Sequence, residues 1–321
     1  MTIQWDRKCR LTIQIDGSGP EALDMSDFKI VFNVGQPDTS KPKFAEIYIY
    51  NVSLQTMNLL CGVDDSNIKN LVVLEVGYGS EELTTLFKGT VFQYRRGRDN
   101  QTDTWLCILA QSSDESINYQ TISETIPAGT TINSMKDRFM RNYEDTGVQI
   151  NETPELSSQE LIRGRVCFGS LYDNVLQFSK ENECVFEVAD GGVSMIESGK
   201  YSVVHDVQEL TARTGMIGMP QLTSDGLKVN CLLNPKMKYM GRVRVDMTNL
   251  QTEAYDIEYG QQGVDQVFKD PRIAIGAEGV FVIMSVIHRG DNRGNDWFSE
   301  LVCISINGTP PKSGVGITSV G

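Results

Sequence analysis

Residues 211–245 carry the clearest strand and turn signals of the chain, and they constrain its fold more than any other stretch. Leu227, Val229 and Cys231 alternate with polar residues, which is the two-residue period of a strand with one buried face. Asn234-Pro235 breaks that strand, because proline has no amide hydrogen to donate to a neighbouring strand. The stretch therefore predicts antiparallel β-structure, and it contains no catalytic pattern.

The two flanks of that strand differ in character. The segment before it, 215–220, is rich in Gly and Met and predicts a flexible stretch that ends at Pro220. After the break, Val243 and Val245 point to one side and the arginines between them to the other, so a second half-buried strand follows.

Residues 1–111 also have the pattern of an all-β unit. Within 44–50, Ala45 and its alternate residues are predicted to point to one face and the tyrosines to the other. Ser53 is a candidate cap for a short helix with Leu54, Met57 and Leu60 on its buried face. Strands are then predicted over 70–78, 86–94 and 104–110.

Several short motifs, in this order, resemble the baseplate hub proteins of contractile-tailed bacteriophages. They are YNVSLQTMNLL (50–60), LFKGTV (86–91), TGMIGMP (214–220), LLNP (232–235) and GRVRV (241–245). The resemblance implies a mainly β fold with an α+β insertion: two tail-tube-like antiparallel β-barrels plus a middle α+β domain. It also implies a trimeric ring that adapts the sixfold tail tube to the threefold central spike and lets DNA pass through its bore.

The residue pattern predicts where these parts lie. We expect a first barrel at 1–111, an acidic α+β domain at 112–205, a second barrel at 206–307 and a flexible tail at 308–321. In the middle domain, a first helix is predicted with Ile132, Met135 and Phe139 on its buried face. Ser170 begins a second helix whose buried stripe is Leu171, Val175 and Phe178, and Asp190-Gly191 predicts a hairpin turn.

The first and last thirds share a sequence pattern. Residues 91–110 and 286–305 each run from an apolar strand through basic residues and a Gly/Asp/Asn turn to a Trp and a Cys. Trp105 is predicted to correspond to Trp297, and Cys107 to Cys303. This pattern favours two copies of one barrel around an inserted domain, although coincidence is the alternative for so short an alignment.

The charge of the chain argues against a nucleic-acid-binding surface. The net charge is −13, of which the middle third carries −8 and the outer thirds −3 and −2. Specific binding to nucleic acid needs clustered Lys and Arg, and no third has an excess of them. No membrane span is expected either, because the longest apolar run, 280–287, is far shorter than the ~20 residues a membrane helix needs.

Motifs for catalysis are missing from the sequence, so we expect no enzyme activity. The GxSxG, HExxH, GxxxxGK[ST] and GxGxxG patterns are all absent. The seven cysteines are scattered without a CxxC pair and are expected to be small buried hydrophobes in a reducing compartment. His205 and His288 are expected to be ordinary polar or partly buried residues. Neither a metal site nor a cofactor is therefore predicted.

Two further groups of residues leave alternatives open. Arg95, Arg96, Arg289 and Arg293 suggest a phosphate site, but turn-stabilising ion pairs with nearby aspartates explain them more simply. The methionines of 216–240 fit either an adaptable contact surface or core filling.

The strands 45–50 and 280–287 are candidates for exposed edges that a neighbouring barrel covers. The candidate intersubunit or barrel-edge residues are Ile47, Tyr48, Ile49, Tyr50, Phe281 and Ile283. The resemblance implies as partners other copies of the chain, tail tube or tube-initiator proteins, the central spike and other baseplate proteins. It implies assembly into the virion tail baseplate after synthesis in the host cytoplasm. The alternatives are a tail-associated cell-wall hydrolase and the hub of a DNA-free phage-tail-like particle.

Overall fold

The chain is built mainly from antiparallel β-strands, with a few helices concentrated in its middle third. A computed structural model describes residues 6–15, 22–36, 42–61, 70–79, 82–223, 226–246, 251–252 and 279–305. The predicted flexible tail, 308–321, lies outside the described residues. The fold class expected from the sequence, mainly β with an α+β insertion, is confirmed.

The first third contains seven strands and one helix. They are β1 (Arg7–Gln14), β2 (Ala22–Asp24), β3 (Ile30–Gln36), β4 (Phe44–Tyr50), α1 (Leu54–Cys61), β5 (Leu71–Tyr78), β6 (Thr84–Arg98) and β7 (Thr104–Gln111). The predicted alternation holds, since Ala45, Ile47 and Ile49 of β4 are buried. Ser53 caps α1 by accepting a hydrogen bond from the Thr56 amide at 3.1 Å.

One predicted buried residue of α1 is in fact exposed. Met57 and Leu60 pack into the core, but Leu54 is 73% exposed. Leu54 is the first residue of the helix, and helical side chains point back toward the N-terminus, so this one extends past the end of the element.

The middle third contains three helices and five strands, which form the α+β unit. They are α2 (Asp114–Asn118), β8 (Thr121–Ile126), α3 (Ile132–Glu144), β9 (Gln149–Glu152), β10 (Arg165–Ser170), α4 (Leu171–Glu181), β11 (Cys184–Ala189) and β12 (Gly192–Glu197). Thr131 caps α3 and Ser170 caps α4 through their side-chain oxygens. Asp190 and Gly191 both have positive φ and connect β11 to β12, as a tight hairpin turn requires.

The described residues of the last third contain seven strands. They are β13 (Gln208–Leu210), β14 (Met216–Thr223), β15 (Gly226–Leu232), β16 (Arg242–Val245), β17 (Gln251–Thr252), β18 (Val280–Asp291) and β19 (Trp297–Ser305). The Gly/Met segment expected to be flexible is instead strand β14, because its backbone pairs with β15 on either side of an irregular register at 217–221.

Three large apolar clusters account for most of the buried core. The first is formed almost entirely by 11–110, the second by 122–195 and the third by 210–303. The domain boundaries expected from the sequence stay a prediction. A fourth, smaller cluster joins Ile196 of the middle unit to Tyr239, Val282 and Ile304 of the last.

Candidate functional site: the joint between two strand repeats

The first and last thirds have the same strand order. Going across the sheet, the first runs β3-β4-β7-β6-β5-β1 and the last runs β14-β15-β19-β18-β16-β13. Along the chain, these strands also come in the same sequence in both. Each repeat has five pairs of neighbouring strands, and four of the five pairs run in the same relative direction in both repeats. The last pair differs: β1 and β5 are antiparallel, whereas β13 and β16 are parallel. A sheet of one topology is thus present twice.

The two long hairpins, β6–β7 and β18–β19, match in detail. Each long strand has a bulge at one position: the register shifts at Phe92 between Val91 and Gln93, and at Met284 between Ile283 and Ser285. In both hairpins the residue before the bulge lies opposite a buried core residue, Ala110 in one and Cys303 in the other. The bulges therefore give the alignment of the two repeats.

This alignment corrects the predicted correspondence of the tryptophans and cysteines. Since Ala110 corresponds to Cys303, Trp105 corresponds to Phe298 and Trp297 to Thr104. A shift of one residue turns a side chain to the other face of a strand. Trp297 accordingly lies in the core, whereas Trp105 is half-buried on the opposite face against Tyr48.

The two repeats join edge to edge inside the chain. Strand β18 pairs with β16 up to Val282, passes its bulge, and then pairs antiparallel with β3 from Val286 to Asp291. The partners on β3 run from Gln36 back to Val31. One sheet therefore continues from the last third into the first.

Aromatic packing stabilises this joint. The rings of Phe32 and Trp297 meet edge to face with centroids 5.6 Å apart and an interplanar angle of 74°. Gly290 lies opposite Phe32, and a Cβ atom at this glycine would overlap the Phe32 ring. The absence of a side chain at 290 thus allows the ring to lie against the strand.

The turn 291–296 between β18 and β19 anchors to the first repeat. Asn292 accepts a hydrogen bond from the Ile30 amide at 2.9 Å and donates one to the Phe28 carbonyl at 2.8 Å. Arg293 donates to the Asp27 carbonyl oxygen, and Lys29 lies 3.6 Å from the Asp291 carboxylate. Arg289 was predicted to pair with a turn aspartate, but its guanidinium lies 3.6 Å from the Glu300 carboxylate across the hairpin.

The candidate edge residues lie inside the sheet. Strand β4 has β3 on one side and β7 on the other, so the prediction of an open edge at 45–50 is wrong for the isolated chain. Ile47 and Ile49 are buried in the first core and Phe281 and Ile283 in the last, and the structure does not bring the two pairs together. Strand β18 likewise has neighbours on both sides.

The two tyrosines of that set lie on the outer face of β4. Tyr48 packs edge to face on Trp105 with ring centroids 5.5 Å apart, and the Lys29 ammonium lies 4.6 Å from the centre of the Tyr50 ring. Both side chains are half-buried, so a role between subunits stays a prediction for them.

A polar cleft of about 190 Å³ lies where the three units meet. Gln36 donates a hydrogen bond to Glu187 at 2.8 Å, and the Lys43 ammonium lies 2.6 Å from the Asp190 carboxylate. Burial raises the pKa of Glu187 to about 7, although its bond from Gln36 and the nearby Lys43 act in the other direction. Sequence reasoning missed this cleft because its residues come from strands far apart in the chain.

Burial disfavours the charged forms of a histidine and two cysteines among the described residues. His288 is buried and shares a 2.7 Å hydrogen bond with Ser299, and burial lowers its pKa to about 3. Burial raises the pKa of Cys9 and of Cys231 to about 12, so both stay thiols at neutral pH. Within the described ranges no group of three or more His, Cys, Asp or Glu side chains has the arrangement of a metal site. The described helices are also too short or too polar to span a membrane.

Solved structures with a similar fold are proteins of phage tails and related machines. The 43 kDa tail protein of prophage MuSo2 from Shewanella oneidensis superimposes with a TM-score of 0.56 at 6% identity, covering 94% of this chain and 98% of that one. A tail protein from Neisseria meningitidis gives 0.53 at 9% identity, with coverage of 95% and 100%. At such identities the likeness shows the fold alone.

A third similar structure is the Escherichia coli c3393 protein, a component of the type VI secretion system that is structurally similar to the T4 tail proteins gp27 and gp5. It gives a TM-score of 0.50 at 10% identity, covering 93% of this chain and 79% of that one. The fold is therefore that of a tail hub protein. The model of the baseplate hub gp41 family matches residues 50–250, more than half of the chain, so this protein belongs to that family. No curated protein sequence matches the chain.

Proposed function

We propose that three copies of this chain form a closed ring in the baseplate. The ring joins the sixfold tail tube above it to the threefold central spike below it, and its bore lets DNA pass. Membership of the baseplate hub family supports the structural role, and the finer assembly rests on the internal repeat.

The repeated strand order is the observation that carries this proposal. Two sheets of one topology in each chain give three chains six similar units. Six similar units match a sixfold partner, while the three chains match a threefold one. The joint between β3 and β18 already places two such units edge to edge.

Partners and location follow from the same role. The ring contacts tail tube or tube-initiator proteins on one side, the central spike on the other, and further baseplate proteins at its rim. The chain is made in the host cytoplasm and becomes part of the virion tail. The net charge of −13 suits a bore through which DNA slides, because the protein has no excess of cations to hold phosphates.

The mass of the purified protein tests the ring. Light scattering of a concentrated sample should give three times the chain mass of 35.8 kDa, and negative-stain images should show a ring with an open centre. A dimer, or a particle with a closed centre, contradicts the proposal.

The hub of a tail-like particle without DNA is a second candidate. The similarity to a type VI secretion component favours it, since the same fold occurs there. Purifying the native particle and assaying it for packaged DNA separates the two, because only a phage hub comes with a genome.

A further inference from the structure

The internal repeat leaves one pairing unmatched within the chain. Strand β3 of the first repeat pairs with β18 of the last beyond the bulge at Met284. By the alignment of the repeats, β14 is the counterpart of β3 and β6 is the counterpart of β18. A joint between β14 and β6 would therefore be the same joint made a second time.

Strand β6 has the matching free edge. It pairs with β5 only up to Thr90, passes its bulge at Phe92, and continues to Arg98 with β7 on one side. In the part of the chain that the structure describes, no strand pairs with its other side over 93–98. The alignment makes 285–290 the counterpart of this segment, and β3 covers β18 from Val286 onward.

Strand β14 has the matching outer edge at the far end of the sheet. Among the described strands, only the two-residue strand β17 pairs there, at Gln221 and Leu222. Two pairs are fewer than the six that join β3 to β18, and a joint as long as that one requires β17 to leave this edge. Within the described chain β14 and β6 do not pair, and six strands of one continuous sheet lie between them.

Apolar side chains lie exposed on both strands, β6 and β14. Phe92 is 63% exposed at the bulge of β6, whereas its counterpart Met284 is half-buried. On β14, Ile217 and Met219 are 43% and 57% exposed. Exposed apolar residues beside an unpaired strand edge mark a contact surface.

We propose that β14 of one copy pairs antiparallel with residues 93–98 of β6 in the next copy, repeating the β3–β18 joint between chains. This inference specifies the surface through which the ring proposed above assembles, and it rests on that proposal. The contact is head to tail, so it adds copies in one direction until the ring closes. The alignment places Gln221 of one copy opposite Gly97 of the next, as Asn33 lies opposite Arg289 within the chain.

Chemical crosslinking tests the register of the joint. Arg95→Cys and Gln221→Cys introduce one thiol on each strand of the proposed joint. Arg95 is two residues from Gly97, the residue placed opposite Gln221, so the two thiols lie on the same face of the sheet. Such diagonal neighbours have Cα atoms about 7–8 Å apart. A short bis-maleimide should link separate chains, giving dimer and trimer bands on a denaturing gel and a linked peptide by mass spectrometry. The wild type, each single variant, and a control pair of Arg95→Cys with Gln159→Cys in an exposed loop of the middle unit should give no such bands.

Loss of assembly tests the surface independently. Phe92→Asp and Met219→Asp should each weaken self-association at least tenfold in sedimentation equilibrium. Phe168→Asp is the matched control, because Phe168 is an equally exposed aromatic residue of the middle unit. If the protein forms oligomers that the Arg95→Cys/Gln221→Cys variant does not crosslink and that neither edge variant weakens, this joint is wrong but the hub proposal stands. A wild type that stays monomeric at every concentration, with no crosslink in the double-cysteine variant, overturns both.

Discussion

The Phe32 and Trp297 rings meet edge to face at 5.6 Å, although one belongs to the first strand repeat and the other to the last. Trp297 is counted in the core of the first unit, and Leu233 of the last third joins it there. The Tyr78 hydroxyl also donates a hydrogen bond to the Leu233 carbonyl at 2.8 Å. The two repeats therefore share part of one core, and this shared core holds them at a set angle.

We expect Trp297→Ala to lower the free energy of unfolding by about 3–5 kcal/mol, because a large buried ring leaves a cavity. Trp105→Ala is the matched control and should cost less, since Trp105 is half-buried on the outer face. Thermal and urea unfolding of both variants measure the difference. Equal losses at the two positions would mean that the joint contributes no special stability.

A double-mutant cycle on Phe32 and Trp297 should give a coupling of about 0.5–1.5 kcal/mol, the range found for paired aromatic rings. Phe32→Leu and Trp297→Leu, each of which removes one ring, are the single changes. Additive effects within about 0.3 kcal/mol would show that the rings contribute by burial alone.

Gly290→Ala should destabilise the joint by about 1–3 kcal/mol, because the new methyl group overlaps the Phe32 ring. Combining it with Phe32→Val should cost less than the sum of the two single changes, since the smaller side chain makes room. Chemical denaturation of the three variants gives the comparison. If the two changes were strictly additive, contact between the new methyl group and the Phe32 ring would not be the cause of the destabilisation.

Glu187 should make stability depend on pH. Its pKa is raised from 4.5 to about 7 in the folded protein, so the folded state binds the proton more tightly than the unfolded one. Stability should then fall as pH rises from about 4.5 to 7, by no more than about 3 kcal/mol. Glu187→Gln keeps the shape of the side chain and should remove this fall in unfolding curves measured between pH 4 and 8. An unchanged pH profile in the variant would assign the dependence to other groups.

The acidic middle unit, 112–205, should lie on the outside of the ring, because its −8 charge and amphipathic helices suit a solvated position. Asp137→Cys on α3, at a well-exposed position, should react with a bulky maleimide polymer as fast in the assembled ring as in the free chain. Protection upon assembly would place α3 in the bore or in a contact between copies.

We expect the purified protein to leave peptidoglycan, peptides and nucleotides unchanged over long incubations. The measurement is release of soluble fragments, with lysozyme as the positive control for peptidoglycan. Turnover that one point mutation abolishes would favour the cell-wall hydrolase instead.

Local patterns in the sequence were sufficient to predict many of the elements. The alternation at 45–49 and 227–231 predicted which face of each strand is buried, and Ser53 and Ser170 were recognised as helix caps. The turn at Asp190-Gly191 was also predicted, because positive φ at two adjacent residues favours those residue types. Each of these features depends on residues that are neighbours in the chain.

The alignment of the repeats was predicted in outline but not in register. Matching Trp105 to Trp297 was wrong by one position, because residue identity does not reveal on which face a side chain lies. The bulges at Phe92 and Met284 give the register, and a bulge leaves no clear signal in one sequence.

The sequence by itself determined that this chain is mainly β, with a helical insertion and two related strand units, since periodicity and turn residues act locally. Only the tertiary structure decided that β4 lies inside the sheet, that β3 pairs with β18, and that Gln36, Lys43 and Glu187 line one cleft. The physical reason is that strand pairing joins backbone groups present in every residue. Which edges meet is therefore decided by the packing of distant side chains such as Phe32 and Trp297.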